Sequence, residues 1–304
     1  MPSGYDVVIV GGGAAGLSAA LVLGRCRRTV LVCDDGHPRN EASLAVHCLL
    51  GNEGVPPAEL LTKGRRELQS YESVTMHDRQ VIAIAREGAQ FTVACEGGLV
   101  AIARKVLLTI GLKDEVPQIE GVERLYGRSI HHCPYCDGFE HRDKSIAVYG
   151  EGDKGLGLAL MMKQWSPDVI LFTDGETDIE PDMRARLEHN GIMVLGNKIE
   201  RLETDNDGRL ATIRLQNGMA VERDALFFST RAVHRSDLWE SLGCKRDEKG
   251  GIVCDPVTEE SSVPGVYVAG DSSREVLLVA VAIAEGAKAA VAINRALLKE
   301  DGLG

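Results

Sequence analysis

Two cysteines separated by two residues mark the stretch best suited to chemistry, His131-His132-Cys133-Pro134-Tyr135-Cys136-Asp137-Gly138. Two intervening residues let both sulfurs meet across one helical turn. If the pair opens a helix, the dipole lowers a thiol pKa and yields a reactive thiolate. A thiolate that attacks a disulfide passes through a mixed disulfide, which the second cysteine resolves. Asp137 stands where it can give a proton to a departing thiol or take one from it. The competing reading is half of a zinc site. Zinc needs two further ligands at similar spacing, no second Cys-x-x-Cys exists, and His131 and His132 adjoin the pair too closely for an easy tetrahedron. No metal is expected. The plain reading of the two histidines is a strand-end pair with solvent or backbone partners, and the other is tuning of the thiols.

The second chemical signal is Gly11-x-Gly13-x-x-Gly16. The first glycine allows a tight turn, the second lets backbone approach a pyrophosphate, and the third lets a helix lie close to a strand. The anion then sits on free amides at a helix N-terminus. Asp34 follows about 20 residues later, where an acid accepts a bond from a ribose hydroxyl.

The elements that must hold these residues read as follows. Asp6 to Val10 is an apolar run without alternation, a buried parallel strand, and Leu17 to Arg25 is helical. Thr29 to Cys33 is the next strand, which completes a βαβ unit. A second unit has the same layout: strand Ser145 to Tyr149, turn Gly150-Glu151-Gly152-Asp153-Lys154-Gly155, helix Leu156 to Trp165, strand Asp168 to Phe172. Joints follow Val106–Gly111 and precede Gly265-Val-Tyr-Val-Ala-Gly270-Asp271, and a long helix pattern runs from about Ser273 to Lys299. The expected fold is α/β, with two nested Rossmann-like domains. Residues 1–115 and 248–304 form a discontinuous nucleotide-binding domain, and 118–244 form a second one carrying the cysteine pair.

The chain has 304 residues and a formal net charge of −11, without a basic patch, which speaks against a nucleic-acid partner. The longest apolar run, Val276 to Ala284, is too short to cross a bilayer. No cleavable leader is read at the N-terminus, so the expected home is the cytoplasm. Of eight cysteines, 133 and 136 alone are close enough in sequence to suggest a motif, and most of the eight are expected to be buried thiols.

The order of a GxGxxG site, a Cys-x-x-Cys-Asp-Gly inside a second nucleotide domain and a late Gly-Val-Tyr-Val-Ala-Gly-Asp resembles the low-molecular-weight thioredoxin reductases, over nearly the whole chain. The resemblance implies FAD, a homodimer and two nested dinucleotide domains. It assigns Gly11, Gly13, Gly16 and Asp34 to the FAD pyrophosphate and ribose, and the Val81 backbone to the adenine end. Thr109 and Gly111 fall beside the flavin, with Gly270 and Asp271 at the ribityl chain. Cys136 would face the flavin, Cys133 would attack the partner, and Asp137 would be the acid/base. His47 lies where the family's loop approaches the isoalloxazine, with a structural role as the alternative.

The departures from that family are as informative. Where it carries arginines for a 2′-phosphate, this chain has Phe172-Thr-Asp174-Gly-Glu176, and two acids repel a phosphate dianion. Gly150, Gly152 and Gly155 survive, so NADH or a second FAD is conceivable there together with Asp174. Apolar residues around Leu278-Val279-Ala280 replace the family's Arg-Gln-Ala. Cys-Pro-Tyr-Cys and Asp34-Asp-Gly-His-Pro-Arg-Asn40 are similar to a divergent branch of dithiol oxidases and reductases independent of pyridine nucleotides. The leading reading is a disulfide reductase fed by ferredoxin, NADH or a second flavin, acting on a thioredoxin-like protein or a small disulfide. The alternatives are a dithiol oxidase using oxygen, an NADPH thioredoxin reductase with Arg184 or Arg186 folded over the 2′-phosphate, and a non-catalytic redox sensor.

Overall fold

The computed structural model describes residues 3–175, 179–229, 231–273 and 276–304. Along the chain, β1 (Ser3–Val10) leads through α1 (Ala14–Arg25) to β2 (Val30–Cys33), α2 (Pro57–Leu68) and β3 (Val74–His77). The hairpin β4 (Val81–Glu87) and β5 (Gln90–Cys95) precedes β6 (Val100–Leu108). The chain passes through β7 (Leu112–Asp114) to α3 (Val122–Leu125), β8 (Ile130–His131), α4 (Pro134–Asp137), β9 (Ile146–Tyr149), α5 (Gly152–Met162), β10 (Val169–Phe172), α6 (Pro181–His189) and β11 (Met193–Leu195). Then come β12 (Ile199–Thr204), β13 (Leu210–Leu215), β14 (Ala220–Glu222), β15 (Ala225–Phe228) and β16 (Ala232–His234), which pairs with β7. The last elements are α7 (Leu238–Ser241), β17 (Val266–Val268) and α8 (Val279–Glu300).

Two compact units result. The first takes the residues through Glu41, Cys48–Lys113 and Val233–Gly304, and the second takes Ala42–His47 and Asp114–Ala232. The chain is thus back in the first unit by Val233, ahead of the 248 boundary read from sequence.

In the first unit β3, β2, β1 and β6 lie parallel in that order. On its edge away from β1, β6 serves two partners: its early residues pair antiparallel with β5 and its later ones parallel with β17. Val7 to Val10 and Val30 to Cys33 are buried throughout, as strands covered on both faces require. β4 and β5 instead mix buried and exposed positions, as a half-covered antiparallel hairpin does. The second unit has a parallel sheet β11-β10-β9-β15-β8 and an antiparallel sheet β12-β13-β14.

Helix α8 starts at Val279, later than the Ser273 read from its pattern. Leu278 is its extended N-cap, and Gly270 to Ser273 is spent on a turn. Arg274 and Glu275 lie outside the described residues. Among the described residues no helix is long and apolar enough to cross a membrane.

Candidate functional site

Cys133 and Cys136 form a disulfide in the second unit, with Cα atoms 5.3 Å apart. They span a single helical turn that local sequence explains. Pro134 at the first helical position has φ already set and lacks an N–H that would go unused there. Cys133 caps the turn: its Sγ accepts from the Cys136 amide at 3.1 Å. After reduction that amide would favour the Cys133 thiolate over the thiol. Gly138 is required next, because a Cβ there would lie 2.5 Å from the Pro134 carbonyl oxygen and 2.9 Å from the Trp165 ring. Tyr135 stands 62% exposed between the cysteines, edge-on to Trp165.

Behind the disulfide lies a row of three polar side chains. Asp137 Oδ1 is 3.2 Å from His131 Nδ1, and His131 Nε2 is 3.0 Å from His141 Nε2. Phe227 packs on both imidazoles. Burial above all pulls His141 down to about 4. His141 is therefore neutral at ordinary pH. His132 points elsewhere, 3.2 Å from Tyr126 Oη and 3.8 Å from Asp114. His47, which the resemblance put beside an isoalloxazine, groups by contacts with this unit. Its Nε2 lies 3.7 Å from Glu140 Oε1.

In the first unit the glycine turn is built as its spacing implies. A Cβ on Gly11 would sit 2.3 Å from the Thr109 carbonyl oxygen, and one on Gly16 would sit 2.0 Å from the Gly11 carbonyl oxygen. Nothing lies within 4 Å of a Cβ on Gly13, so the space that faces its backbone is free. No acidic residue occupies the first turn of α1. Asp34 Oδ1 accepts from the Gly12 amide at 2.9 Å, and its other oxygen pairs with Arg65. Val81 is buried at the start of β4. Thr109 is a fastener: its hydroxyl lies 3.0 Å from the Val10 carbonyl oxygen and 2.8 Å from that of Gly11. Gly111 and Gly270 adopt positive φ, 64° and 80°. Asp271 pairs with Arg39 at 2.9 Å.

The second unit repeats the turn with different charge. A Cβ on Gly155 would meet the Gly150 carbonyl at 2.4 Å, the close approach a βα turn needs. Gly152 has open space and φ 56°. Here, however, Glu151 caps the helix and Asp153 occupies its first turn. Asp174 accepts from Tyr149 Oη at 2.9 Å, so its carboxylate is already engaged. Glu176 lies outside the described residues. Arg184 and Arg186 are exposed on α6.

The model of the pyridine nucleotide-disulphide oxidoreductase family matches residues 5–286. The chain belongs to that family. Its members are flavoproteins, and the chain is an oxidoreductase acting on disulfides. Within this disulphide oxidoreductase family it is 29% identical to the thioredoxin reductase sirT of Leptosphaeria maculans, over 99% of this chain and 96% of the relative. The crystal structure of HlmI superposes with a TM-score of 0.94 at 37% identity, covering 98% of this chain and 94% of HlmI. An oxidoreductase from Agrobacterium tumefaciens gives 0.90 at 31%, covering 98% and 99%. The likeness extends over the length of the oxidoreductase and supports the thioredoxin reductase-like reading of its motifs.

Three residues of this disulphide oxidoreductase escaped the sequence reading. Glu285 is buried and accepts from the Gly270 amide at 2.8 Å, which fixes the Gly270–Asp271 turn. Its sequence signal was a lone acid inside an apolar helix face. Tyr149 ends a strand just before the second glycine turn, where a hydroxyl is out of place. His141 gave no signal, since its partner lies ten residues away.

Proposed function

We propose that the chain moves electrons between FAD and a dithiol/disulfide couple through Cys133 and Cys136, and that NADPH is not its partner. The observation that carries this is the second glycine turn, flanked by Glu151 and Asp153 with Asp174 tied to Tyr149. A 2′-phosphate would meet acids where it needs arginines, and a pyrophosphate would meet them too. The first turn lacks that obstacle. The N-terminus of α1, with no side-chain cap and no acid in its first turn, the open face of Gly13 and a placed Asp34 suit FAD, with Asp271 and Gly270 toward its ribityl chain. FAD, when bound there, supplies two-electron redox chemistry.

The thiol steps use this chain's own atoms. In the reduced protein Cys133 gives its proton to Asp137, and the thiolate attacks one sulfur of a partner disulfide. That bond breaks, and the departing sulfur takes the proton from Asp137. Cys136 then gives its own proton to the Asp137 carboxylate and attacks Cys133 Sγ, which restores the Cys133–Cys136 bond, and the second partner sulfur leaves with that proton as a thiol. Run backwards, the same steps oxidise a dithiol. The relatives' names point to a thioredoxin-like protein as one partner; a small disulfide or dithiol is the other. Either would meet a homodimer.

An anaerobic titration followed by flavin absorbance tests this reading. A dithiol should bleach the purified protein, while NADPH and NADH in excess should not. Bleaching by NADPH overturns it. Ferredoxin as donor, oxygen as acceptor and a second flavin in the second unit are separated by turnover with each and by counting released FAD per chain.

A further inference from the structure

The row Asp137, His131, His141 has a single hydrogen arrangement that satisfies it with both rings neutral. His141 Nδ1 is buried and has no partner. A buried N–H without a partner costs more than a bare lone pair, so the hydrogen belongs on Nε2. That hydrogen points at His131 Nε2, 3.0 Å away, which must therefore be bare. His131 then carries its hydrogen on Nδ1, the ring nitrogen that lies 3.2 Å from Asp137 Oδ1 and faces that carboxylate's charge. We propose that His131 and His141 are a tautomer-locked pair of positioning residues that hold the Asp137 carboxylate in place for the thiols. This rests on Asp137 being the acid/base of the proposed reaction.

The lock has a chemical consequence. A second proton on His131 would have to sit on Nε2, against the His141 hydrogen. Relief would require moving that hydrogen to the orphan Nδ1 of His141, into buried apolar surroundings under Phe227. The charged groups that act on His141 are Lys144, Asp137 and Asp224, of which the carboxylates favour its cation and the lysine opposes it. A proton exchanged with sulfur therefore stops at Asp137 and does not pass inward. His131 lies in strand β8 at register with Phe227, and His141 ends a short turn that folds back onto it. Both are buried too deeply to meet a partner themselves.

Nitrogen-15 NMR of the imidazoles in the oxidised holoprotein tests the lock directly, with His131→Gln and His141→Gln for assignment. The expected spectrum at about pH 7 shows hydrogen on Nδ1 of His131 and on Nε2 of His141. In His141→Phe, which keeps an aromatic ring but removes the Nε2 hydrogen, His131 should show a mixture of both tautomers. The opposite tautomers, or that same mixture in the wild type, overturn the proposal. A kinetic arm follows anaerobic bleaching by dithiothreitol. Asp137→Asn and His131→Phe should each slow it roughly 10- to 100-fold, and the double variant should be no slower than the worse single. A slow Asp137→Asn beside a fast His131→Phe, each with full flavin, defeats the positioning pair alone. A fast Asp137→Asn defeats the acid/base reading and the pair with it.

Discussion

Two glycines three residues apart should fail in opposite ways. Gly16→Ala places a Cβ 2.0 Å from the Gly11 carbonyl oxygen, a backbone atom that cannot rotate away. Overpacking of a core typically costs about 1–3 kcal/mol, and a rigid backbone neighbour puts this case at or above about 3. Gly13→Ala meets nothing within 4 Å, and the residue's φ of −74° suits any side chain. Its fold should hold to within about 0.5 kcal/mol. The new methyl instead occupies the space kept for a pyrophosphate. If two amide bonds to the anion are lost at about 1.5–3 kcal/mol each, FAD affinity falls by on the order of a hundredfold or more. Flavin content after purification reads the second effect. The urea midpoint of flavin-free protein reads the first, with fluorescence of Trp239, buried in the first unit, as the local probe. Full flavin in Gly13→Ala would show that the pyrophosphate lies elsewhere. A wild-type midpoint in Gly16→Ala would show that the helix does not depend on that close approach.

Other substitutions separate roles. Cys133→Ser and Cys136→Ser should each keep the yellow flavin yet abolish bleaching by a dithiol; retained bleaching would mean direct attack on the flavin. Glu285→Ala removes the acceptor of the Gly270 amide and should lower flavin retention several-fold while dithiol chemistry of the remaining holoprotein stays intact, measured as FAD per chain. Because His141 is held down at about 4 against an ordinary 6.5, unfolding takes up a proton between these values. Stability from this group is complete above about pH 6.5 and lost as pH falls toward 4, on the order of 3 kcal/mol in all. His141→Phe should flatten that part of a urea-midpoint profile followed on Trp165. Lys288→Met strips the buried Glu259 carboxylate of its 2.7 Å ion pair and should cost roughly 3 kcal/mol in the first unit by thermal unfolding.

The nucleotide turns and their strands were legible because buried parallel strands carry unbroken apolar runs and the glycines stand at fixed offsets. The hairpin β4–β5 and the sheet β12–β13–β14 went unread, since half-exposed strands such as Ile199–Thr204 mix charge with apolar residues. At the site, the cysteine spacing and Asp137 were readable because their chemistry is local. The His131–His141 contact was not, because it depends on a short turn after Gly138 folding back under Phe227. Thr109 was read from resemblance as a neighbour of flavin; its hydroxyl is spent joining the ends of β1 and β6, which only the parallel register reveals.

The first unit cannot close until late in synthesis. Ser18 Oγ donates to the Ile283 carbonyl at 2.7 Å, and Gly286 lets α8 rest on Ala15, where a Cβ would sit 2.1 Å from the carbonyl oxygen. The turn that faces the pyrophosphate thus waits for residues made some 270 positions later, roughly 15 to 55 s at about 5–20 residues per second. The second unit's sheet lies in one stretch, complete by β15, and can fold while the first remains open. Nascent chains of this protein should therefore carry a formed cysteine turn before they can retain flavin. A shortage of FAD would then strand molecules whose dithiol is ready and whose electron store is missing.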